Sequence, residues 1–213
     1  MVQTLAISKT ITSIADLQAR FNLTPADSDS FFTEWHQDLP NITELERGTL
    51  DRIKQRFERH RNIAKLAEGT INLLLVSPLL DLAGFYDEPF LITTEPQVEI
   101  LIESRDELLR GRIDILVIQG QLWSLVVESK QSISLAAAIP QALAYMMGGS
   151  TGEPLYGMVT DGDFFMFIKL LKQEPPLYDF SDTFSLLLLR QNKLYNVLQV
   201  LKKINRAIVS GSY

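Results

Sequence analysis

The pattern of apolar positions along the chain changes from a helical period to an alternating one near residue 90. Before that point, apolar residues recur every three or four positions, which predicts helices over residues 13–21, 28–37, 41–62 and 63–76. From Phe90 onward, short apolar runs bounded by turn residues predict strands over residues 90–94, 98–103, 155–160, 164–170 and 177–180. Two later helices are predicted over residues 132–147 and 191–209, with a polar connection over residues 105–109.

This order of elements predicts a mixed α/β domain in which helices flank a mixed sheet of four to five strands. Residues 1–40 are predicted to form a helical N-terminal extension, and residues 41–213 the main domain. The extension carries aromatic residues at helical spacing, which would either dock it on the main domain or bind a partner: Phe31, Phe32 and Trp35. The 41–62 helix has basic residues in its second half, on a solvated face or a phosphate-contacting edge: Lys54, Arg56, Arg59 and Arg61.

The central prediction is a β-hairpin over residues 112–130, where two β-branched apolar runs flank a gap that contains glycine. Each run carries charge where a buried strand normally has none. Asp114 lies early in the first run, and Glu128 and Lys130 end the second. Since side chains alternate along a strand, Glu128 and Lys130 share one face of the sheet.

The length of the hairpin loop decides whether Asp114 joins that face. A two-residue loop would turn Asp114 to the opposite side, because a shift of one residue inverts the alternation. The predicted loop is therefore residues 119–121, with Ile118 opposite Leu122. With this pairing, all three charged groups emerge on one side of the hairpin.

Composition narrows the class of protein. The net charge of −6 argues against a protein that coats DNA through a broad basic surface, although an enzyme with a local basic groove stays open. The chain has no cysteine and only two histidines, which excludes thiolate chemistry and makes a histidine-rich metal site improbable. The N-terminus lacks the pattern of a signal peptide, and no apolar run approaches roughly 20 residues. We therefore expect a cytoplasmic protein with no membrane partner.

The familiar nucleotide-binding and hydrolase motifs are missing from the sequence. It contains no phosphate-binding loop of the GxxxxGK[ST] type, no GxGxxG after a strand, no GxSxG and no HExxH. The remaining candidate chemistry is the set Asp114, Glu128 and Lys130. Carboxylate oxygens suit Mg²⁺ or Mn²⁺, which can activate water against a phosphodiester. A lysine on the same face can orient that water or offset charge on the phosphate.

These residues carry a family resemblance. Asp114 followed by Glu128-Ser129-Lys130 resembles the core motif of the PD-(D/E)XK, or restriction-endonuclease-like, nuclease superfamily, with Ile113 in place of the proline. The helix after the hairpin is similar to the QxxxY element of the RecB-like branch, in Gln141 and Tyr145. The segment around Glu68, Pro78-Leu79-Leu80, Gly84-Phe85 and Gly111-Arg112-Ile113-Asp114 resembles the nuclease domain of type I restriction R subunits. The resemblance covers about residues 60–170 and includes no helicase motor.

The resemblance implies a restriction-endonuclease-like core and a Mg²⁺- or Mn²⁺-dependent nuclease acting on DNA. Asp114 and Glu128 would hold the metal, with the Ser129 carbonyl and Glu68 as further ligands. Lys130 would assist the water, and Gln141 and Tyr145 would position the substrate or Lys130. Arg112 and Gln141 would contact the substrate. Double-strand cutting would suit a homodimer, and a stand-alone domain would suit a separate targeting subunit.

Simpler roles stay open for each of these residues. Asp114 and Lys130 could form a cross-strand ion pair, and Arg112 could be the counterion of Asp114. Gln141 and Tyr145 could serve packing alone, and Glu68 could pair with a basic side chain. The alternative function is a non-catalytic nuclease-fold module that binds a protein or nucleic acid.

Overall fold

The computed structural model describes residues 2–119, 122–129, 135–150, 152–188 and 190–211. Its strands are β1 (Gln3–Ala6), β2 (Thr24–Pro25), β3 (Phe90–Thr94), β4 (Gln97–Ile102), β5 (Glu107–Arg112), β6 (Ile115–Gln119), β7 (Leu122–Ser129), β8 (Pro154–Thr160), β9 (Phe164–Leu171), β10 (Leu177–Phe180) and β11 (Phe184–Ser185). Its α-helices are α1 (Ile7–Thr10), α2 (Ile14–Phe21), α3 (Glu44–Ile63), α4 (Glu68–Ile71), α5 (Ser77–Leu82), α6 (Leu135–Met147) and α7 (Leu194–Ser210). The mixed α/β class predicted from the sequence is confirmed.

The larger sheet has eight strands in the order β2-β10-β9-β8-β7-β6-β3, with β11 paired to β9. Strands β7 and β8 run parallel, and α6 forms the crossover between them. Both faces of this sheet are buried. One face packs against α3, α5 and α7, and the other against α6, the N-terminal helices and the smaller sheet.

The smaller sheet has three strands in the order β1-β5-β4. Along β4, Val98, Ile100 and Ile102 are buried and alternate with exposed residues, as expected for a strand with one covered face. Strand β1 comes from the predicted N-terminal extension and pairs parallel to β5. The predicted number of four to five strands is therefore wrong, and β5 replaces the polar connection predicted over residues 105–109.

Two helix starts follow the local rules of the sequence. Ser13 and Asp16 form a capping box at α2, and Thr43 and Glu46 form another at α3. In each box, the side chain of the cap accepts a backbone N–H while the acidic side chain accepts the N–H of the cap. The helices predicted over residues 13–21 and 41–62 from their apolar period are both confirmed to within a few residues.

The helix predicted over residues 28–37 is wrong, because this segment forms turns. Ser28 binds the backbone and the hydroxyl of Ser30, a local bond that competes with helix formation. The aromatic residues nevertheless pack on the core, as docking requires. Phe32 is 1% exposed in the core, and Phe31 and Trp35 pack against that core.

The helix predicted over residues 63–76 is displaced in the structure. It begins at Glu68 and extends to Leu82 through a π-helical turn over Asn72–Val76. In this turn the Ser77 N–H reaches back five residues to the Asn72 carbonyl. Pro78 follows directly and has no N–H to donate, so the wider turn accommodates a position where regular bonding is lost.

No helix in the described part of the chain combines the length and the apolar character needed to cross a membrane.

Candidate functional site

A cleft of ≈ 640 Å³ opens between the end of the β6–β7 hairpin, the smaller sheet and α6. All the site residues predicted from the sequence that the structure describes, apart from Ser129, line it: Glu68, Arg112, Asp114, Glu128, Gln141 and Tyr145. The other lining residues come mainly from β4, β5 and the N-terminal segment: Ala6, Ser8, Gln97, Val98, Glu99, Arg110 and Gly111. The sequence-predicted residues therefore converge on one concave surface.

The pairing of β6 with β7 in the hairpin differs from the predicted pairing. Gln119 pairs with Leu122, and Ile118 pairs with Trp123, so the predicted pairing of Ile118 with Leu122 is wrong. Two residues, Gly120 and Gln121, separate the paired ends, and both lie outside the described residues. A two-residue connection alone would have turned Asp114 to the wrong face.

A β-bulge restores the face of Asp114. The register shifts beyond Ile118, so that Val117 pairs with Leu125 and Ile115 with Val127. One extra residue on β7 thus offsets the shorter loop. Asp114 precedes Ile115 and Glu128 follows Val127, so the two carboxylates meet at the same end of the hairpin.

Asp114 is held by the residue that follows Glu128. The Ser129 N–H donates to Asp114 Oδ2 at 2.7 Å, and Ser129 Oγ lies 2.8 Å from the same oxygen. Among the described residues, Oδ1 of Asp114 accepts no hydrogen bond. Within the described part of the chain, the half-buried carboxylate is thus fixed through one oxygen, and its side chain lines the cleft.

Glu128 and Glu68 occupy different depths of the cleft. Glu128 is 0% exposed, whereas Glu68 is half-buried as the first residue of α4. Within the described ranges, no three histidine, aspartate or glutamate side chains stand close enough to hold a metal ion. Glu68 thus lines the cleft with Asp114 and Glu128 without completing a cluster of three carboxylates.

Gln141 and Tyr145 form a connected pair on α6. They lie four positions apart on one helix face, and Gln141 Nε2 donates to the Tyr145 hydroxyl at 2.7 Å. Tyr145 is 2% exposed, yet it lines the cleft. Its ring lies over Gly111, where an added Cβ would come within 2.5 Å of Tyr145 Cε1.

Arg112 lies at the mouth of the cleft, in an exposed ion pair with Glu95 at 3.3 Å. The sequence left open whether Arg112 is the counterion of Asp114, and within the described residues its carboxylate partner is Glu95. The neighbouring Arg110 pairs with Glu99 at 2.7 Å. Both arginines are more than half exposed, so these surface pairs are weak and exchangeable.

A second cleft, of ≈ 410 Å³, adjoins the first. The two share Glu68, Arg112 and Asp114 as lining residues. The second cleft continues past Asp114 toward Asn72 and the exposed ring of Tyr86. Asp114 therefore lies between two open surfaces rather than at the end of a closed pocket.

Lys130 lies outside the described residues, as do residues 132–134 of the helix predicted over residues 132–147. That helix is described from Leu135 and continues to Met147 with Pro140 inside it.

Two residues of the site were missed by the sequence analysis. Asn72 lies 2.6 Å from Ser129 Oγ, and Gly111 makes room for Tyr145. Asn72 follows Glu68 by four residues, so a shared helix face was the available signal for it. Gly111 was noted only within the Gly111-Arg112-Ile113-Asp114 segment, and its contact with Tyr145 is invisible without the fold.

Comparison with models of known protein families finds no match, and comparison with curated proteins finds no significantly similar one.

Proposed function

We propose that this chain is a metal-dependent nuclease of the restriction-endonuclease-like type that hydrolyses DNA phosphodiester bonds. The observation that carries the proposal is the convergence on one cleft of Asp114 and Glu128 from the hairpin and of Gln141 and Tyr145 from α6. Strand alternation named Asp114 and Glu128 from the sequence, and the resemblance to the QxxxY element named Gln141 and Tyr145. A chance DxₙExK pattern has no reason to open onto a cleft shared with the QxxxY pair.

The donor set suits Mg²⁺ or Mn²⁺. Asp114 and Glu128 supply carboxylate oxygens from the same end of two adjacent strands, and hard divalent cations prefer oxygen ligands. Asp114 keeps Oδ1 without a hydrogen bond among the described residues. Glu128 is buried, where a lower effective dielectric strengthens its attraction to a cation. We propose these two as ligands, with the Ser129 carbonyl as a further ligand; Glu68 lines the cleft but stands outside this set.

A bound divalent ion would polarise the phosphodiester and lower the pKa of a water molecule. The chain's own residues would supply orientation. The Gln141–Tyr145 pair presents an amide and a hydroxyl at the cleft wall, which can hold a phosphate oxygen or the lysine in place. Arg112 can exchange Glu95 for a substrate phosphate at the cleft mouth, because its present ion pair is exposed. We assign Lys130 to the attacking water.

The charge of the cleft supports a role for the metal. Its lining includes four acidic residues and two arginines, Arg110 and Arg112. Such a surface repels a polyanion unless a cation intervenes. We therefore expect DNA binding in this cleft to depend on divalent metal.

Cleavage of supercoiled plasmid and of circular single-stranded DNA, with Mg²⁺ or Mn²⁺, tests the proposal. We expect the wild type to cut in the presence of metal and to stop when EDTA is added. Asp114→Asn and Lys130→Ala should each lower the rate by about 10²-fold or more, since the first removes a proposed metal ligand and the second removes the group assigned to the attacking water.

Glu44→Gln is the matched control, because Glu44 is an exposed carboxylate on α3 that does not line the cleft. Its rate should equal that of the wild type. A wild type that cuts neither substrate and shows no metal binding by calorimetry contradicts the enzyme, and would favour the non-catalytic alternative.

A further inference from the structure

The Ser129 hydroxyl lies between two polar side chains at the buried end of β7. Its Oγ is 2.6 Å from the Asn72 side-chain amide and 2.8 Å from Asp114 Oδ2. Ser129 is 0% exposed, so water does not compete for these contacts. Three separate elements therefore meet at one hydroxyl: the π-helical turn, the start of β6 and the end of β7.

The number of protons fixes the direction of these bonds. As placed, both Asn72 Oδ1 and Asp114 Oδ2 would accept from the Ser129 hydroxyl, which has only one proton to donate. A carboxylate without a proton can only accept, so the Ser129 hydroxyl donates its one proton to Asp114 Oδ2. The Asn72 amide must then present Nδ2 to Ser129 Oγ. The two ends of an amide have nearly the same shape, so this rotation leaves the contacts unchanged.

We propose that Asn72 and Ser129 are positioning residues that orient Asp114 through a relay from Asn72 Nδ2–H to Ser129 Oγ and from Ser129 O–H to Asp114 Oδ2. The relay rests on the proposed function, because its role is to prepare Asp114 for a divalent cation. With two donors from Ser129 on Oδ2, the carboxylate has one orientation and Oδ1 is the ligand oxygen. Such partners behind a ligand fix its orientation before the metal binds.

The place of Asn72 in the fold supports this role. It is the first residue of the π-helical turn, a local widening that is often found at functional sites. Glu68, which lines the cleft, precedes it by one helical turn. The same helical segment thus presents one carboxylate to the cleft and supports another from behind.

The direction of the relay can be tested by NMR without any metal. The side-chain NH₂ signals of Asn72, identified by their loss in Asn72→Leu, should exchange slowly with water in the wild type. In Ser129→Ala they should shift and exchange faster, because their acceptor is gone. An Asn72 amide that is unchanged in Ser129→Ala would overturn the relay.

The role of the relay is tested by the affinity for Mn²⁺, measured by calorimetry. Ser129→Ala and Asn72→Leu should each weaken binding by roughly 10-fold, the usual cost of losing a partner behind a metal ligand. The double variant should bind no more weakly than Ser129→Ala alone, because Asn72 acts only through that hydroxyl. Additive losses, or no loss in either single variant, would overturn the role.

Leu73→Ala is the matched control, since Leu73 lies in the same π-helical turn and is 70% exposed. It should bind Mn²⁺ as the wild type does, and all variants should keep the far-UV spectrum of the wild type. A wild type that binds no Mn²⁺ contradicts both the proposed nuclease and the role of the relay. If the wild type, Ser129→Ala and Asn72→Leu all bind Mn²⁺ equally tightly, the role of the relay is contradicted and the proposed nuclease is not.

Discussion

Gly111 shapes the cleft because it has no Cβ atom. A Cβ at this position would lie 2.5 Å from Tyr145 Cε1, 3.0 Å from the Tyr145 hydroxyl and 3.1 Å from Ile7 Cδ1. The side chain of Tyr145 is 2% exposed, so displacing its ring would disturb packed neighbours. The glycine of β5 therefore sets the depth at which the Gln141–Tyr145 pair sits.

Gly111→Ala is expected to displace Tyr145 and to destabilise the protein by about 1–3 kcal/mol, the usual range for overpacking a core. DNA cleavage should fall with it, because the tyrosine hydroxyl moves relative to the cleft. Chemical denaturation and the plasmid assay measure the two effects.

Gly48→Ala serves as the control for this glycine substitution. Gly48 lies inside α3, where the nearest atom to an added Cβ is Arg52 Nη1 at 3.9 Å. Alanine should stabilise the helix there by about 0.5–1 kcal/mol. If Gly111→Ala is equally harmless, the contact with Tyr145 does not limit the cleft.

At this scale the sequence predicted Glu128 from the alternation along one strand. It predicted Gln141 and Tyr145 through the resemblance to the QxxxY element. Asn72 and Gly111 were missed because their partners lie far away in the chain. Asn72 contacts Ser129, 57 residues later, and no local pattern encodes that contact.

The carboxylate of Glu46 links the start of helix α3 to helix α7. Glu46 completes the capping box of α3 with Thr43, and its side chain also accepts from Lys202 of α7. Burial opposes ionisation of Glu46, but the bonds from Lys202 and Thr43 outweigh it and lower its pKa below the ordinary value of 4.5. The charged form is therefore favoured in the folded state.

Glu46→Ala should destabilise the protein by about 1–2 kcal/mol at pH 7, because it removes the cap and the ion pair. The lowered pKa makes this contribution fully present above pH 4.5, and it is lost as the pH falls through the folded-state pKa. Denaturation curves of wild type and variant should therefore converge in acid. A difference that stays constant down to the lowest pH would contradict the assignment.

The β6–β7 hairpin was predicted from the sequence only in part. The alternation of β6 and β7 and their shared charged face followed from the sequence. The loop was wrong, and the bulge was not foreseen, because a bulge is set by pairing between strands rather than by composition. Strand β5 was missed for a related reason, since Arg110 and Arg112 interrupt its apolar pattern.

Across the whole molecule, the N-terminal residues are integrated into both sheets. Strand β1 pairs with β5, and β2 pairs with β10 at the edge of the larger sheet. Residues 1–40 are predicted as a separate extension because their pattern is helical. The pairing of β1 and β2 depends on strands more than a hundred residues away, so it could not be predicted. The boundary at residue 40 stays a prediction.

A buried ion pair anchors the N-terminal segment to the larger sheet. Glu34 Oε1 accepts from Lys169 Nζ and from the Tyr156 hydroxyl, both at 2.6 Å. Glu34 is 5% exposed and Lys169 is 6% exposed. Lys169 Nζ also lies 5.5 Å from the centre of the Phe31 ring, a cation–π contact that adds to the attachment of the N-terminal segment.

Glu34→Leu should destabilise the protein by about 3–5 kcal/mol, because it leaves the Lys169 charge buried without its carboxylate. The double variant Glu34→Leu/Lys169→Met should recover much of this loss, since it removes both charges. Urea denaturation at neutral pH measures both. A single-variant cost below about 1 kcal/mol, typical of a surface pair, would contradict the anchoring role.

The central claim is that Asp114 and Glu128 share one divalent cation, and a crystal soaked in Mn²⁺ tests it most directly. The account predicts an anomalous difference peak in the cleft, within about 2.0–2.6 Å of a carboxylate oxygen of each residue. The peak should vanish in Asp114→Asn crystals treated in the same way. A peak elsewhere, or carboxylates of Asp114 and Glu128 that both stay away from bound Mn²⁺, would contradict the account.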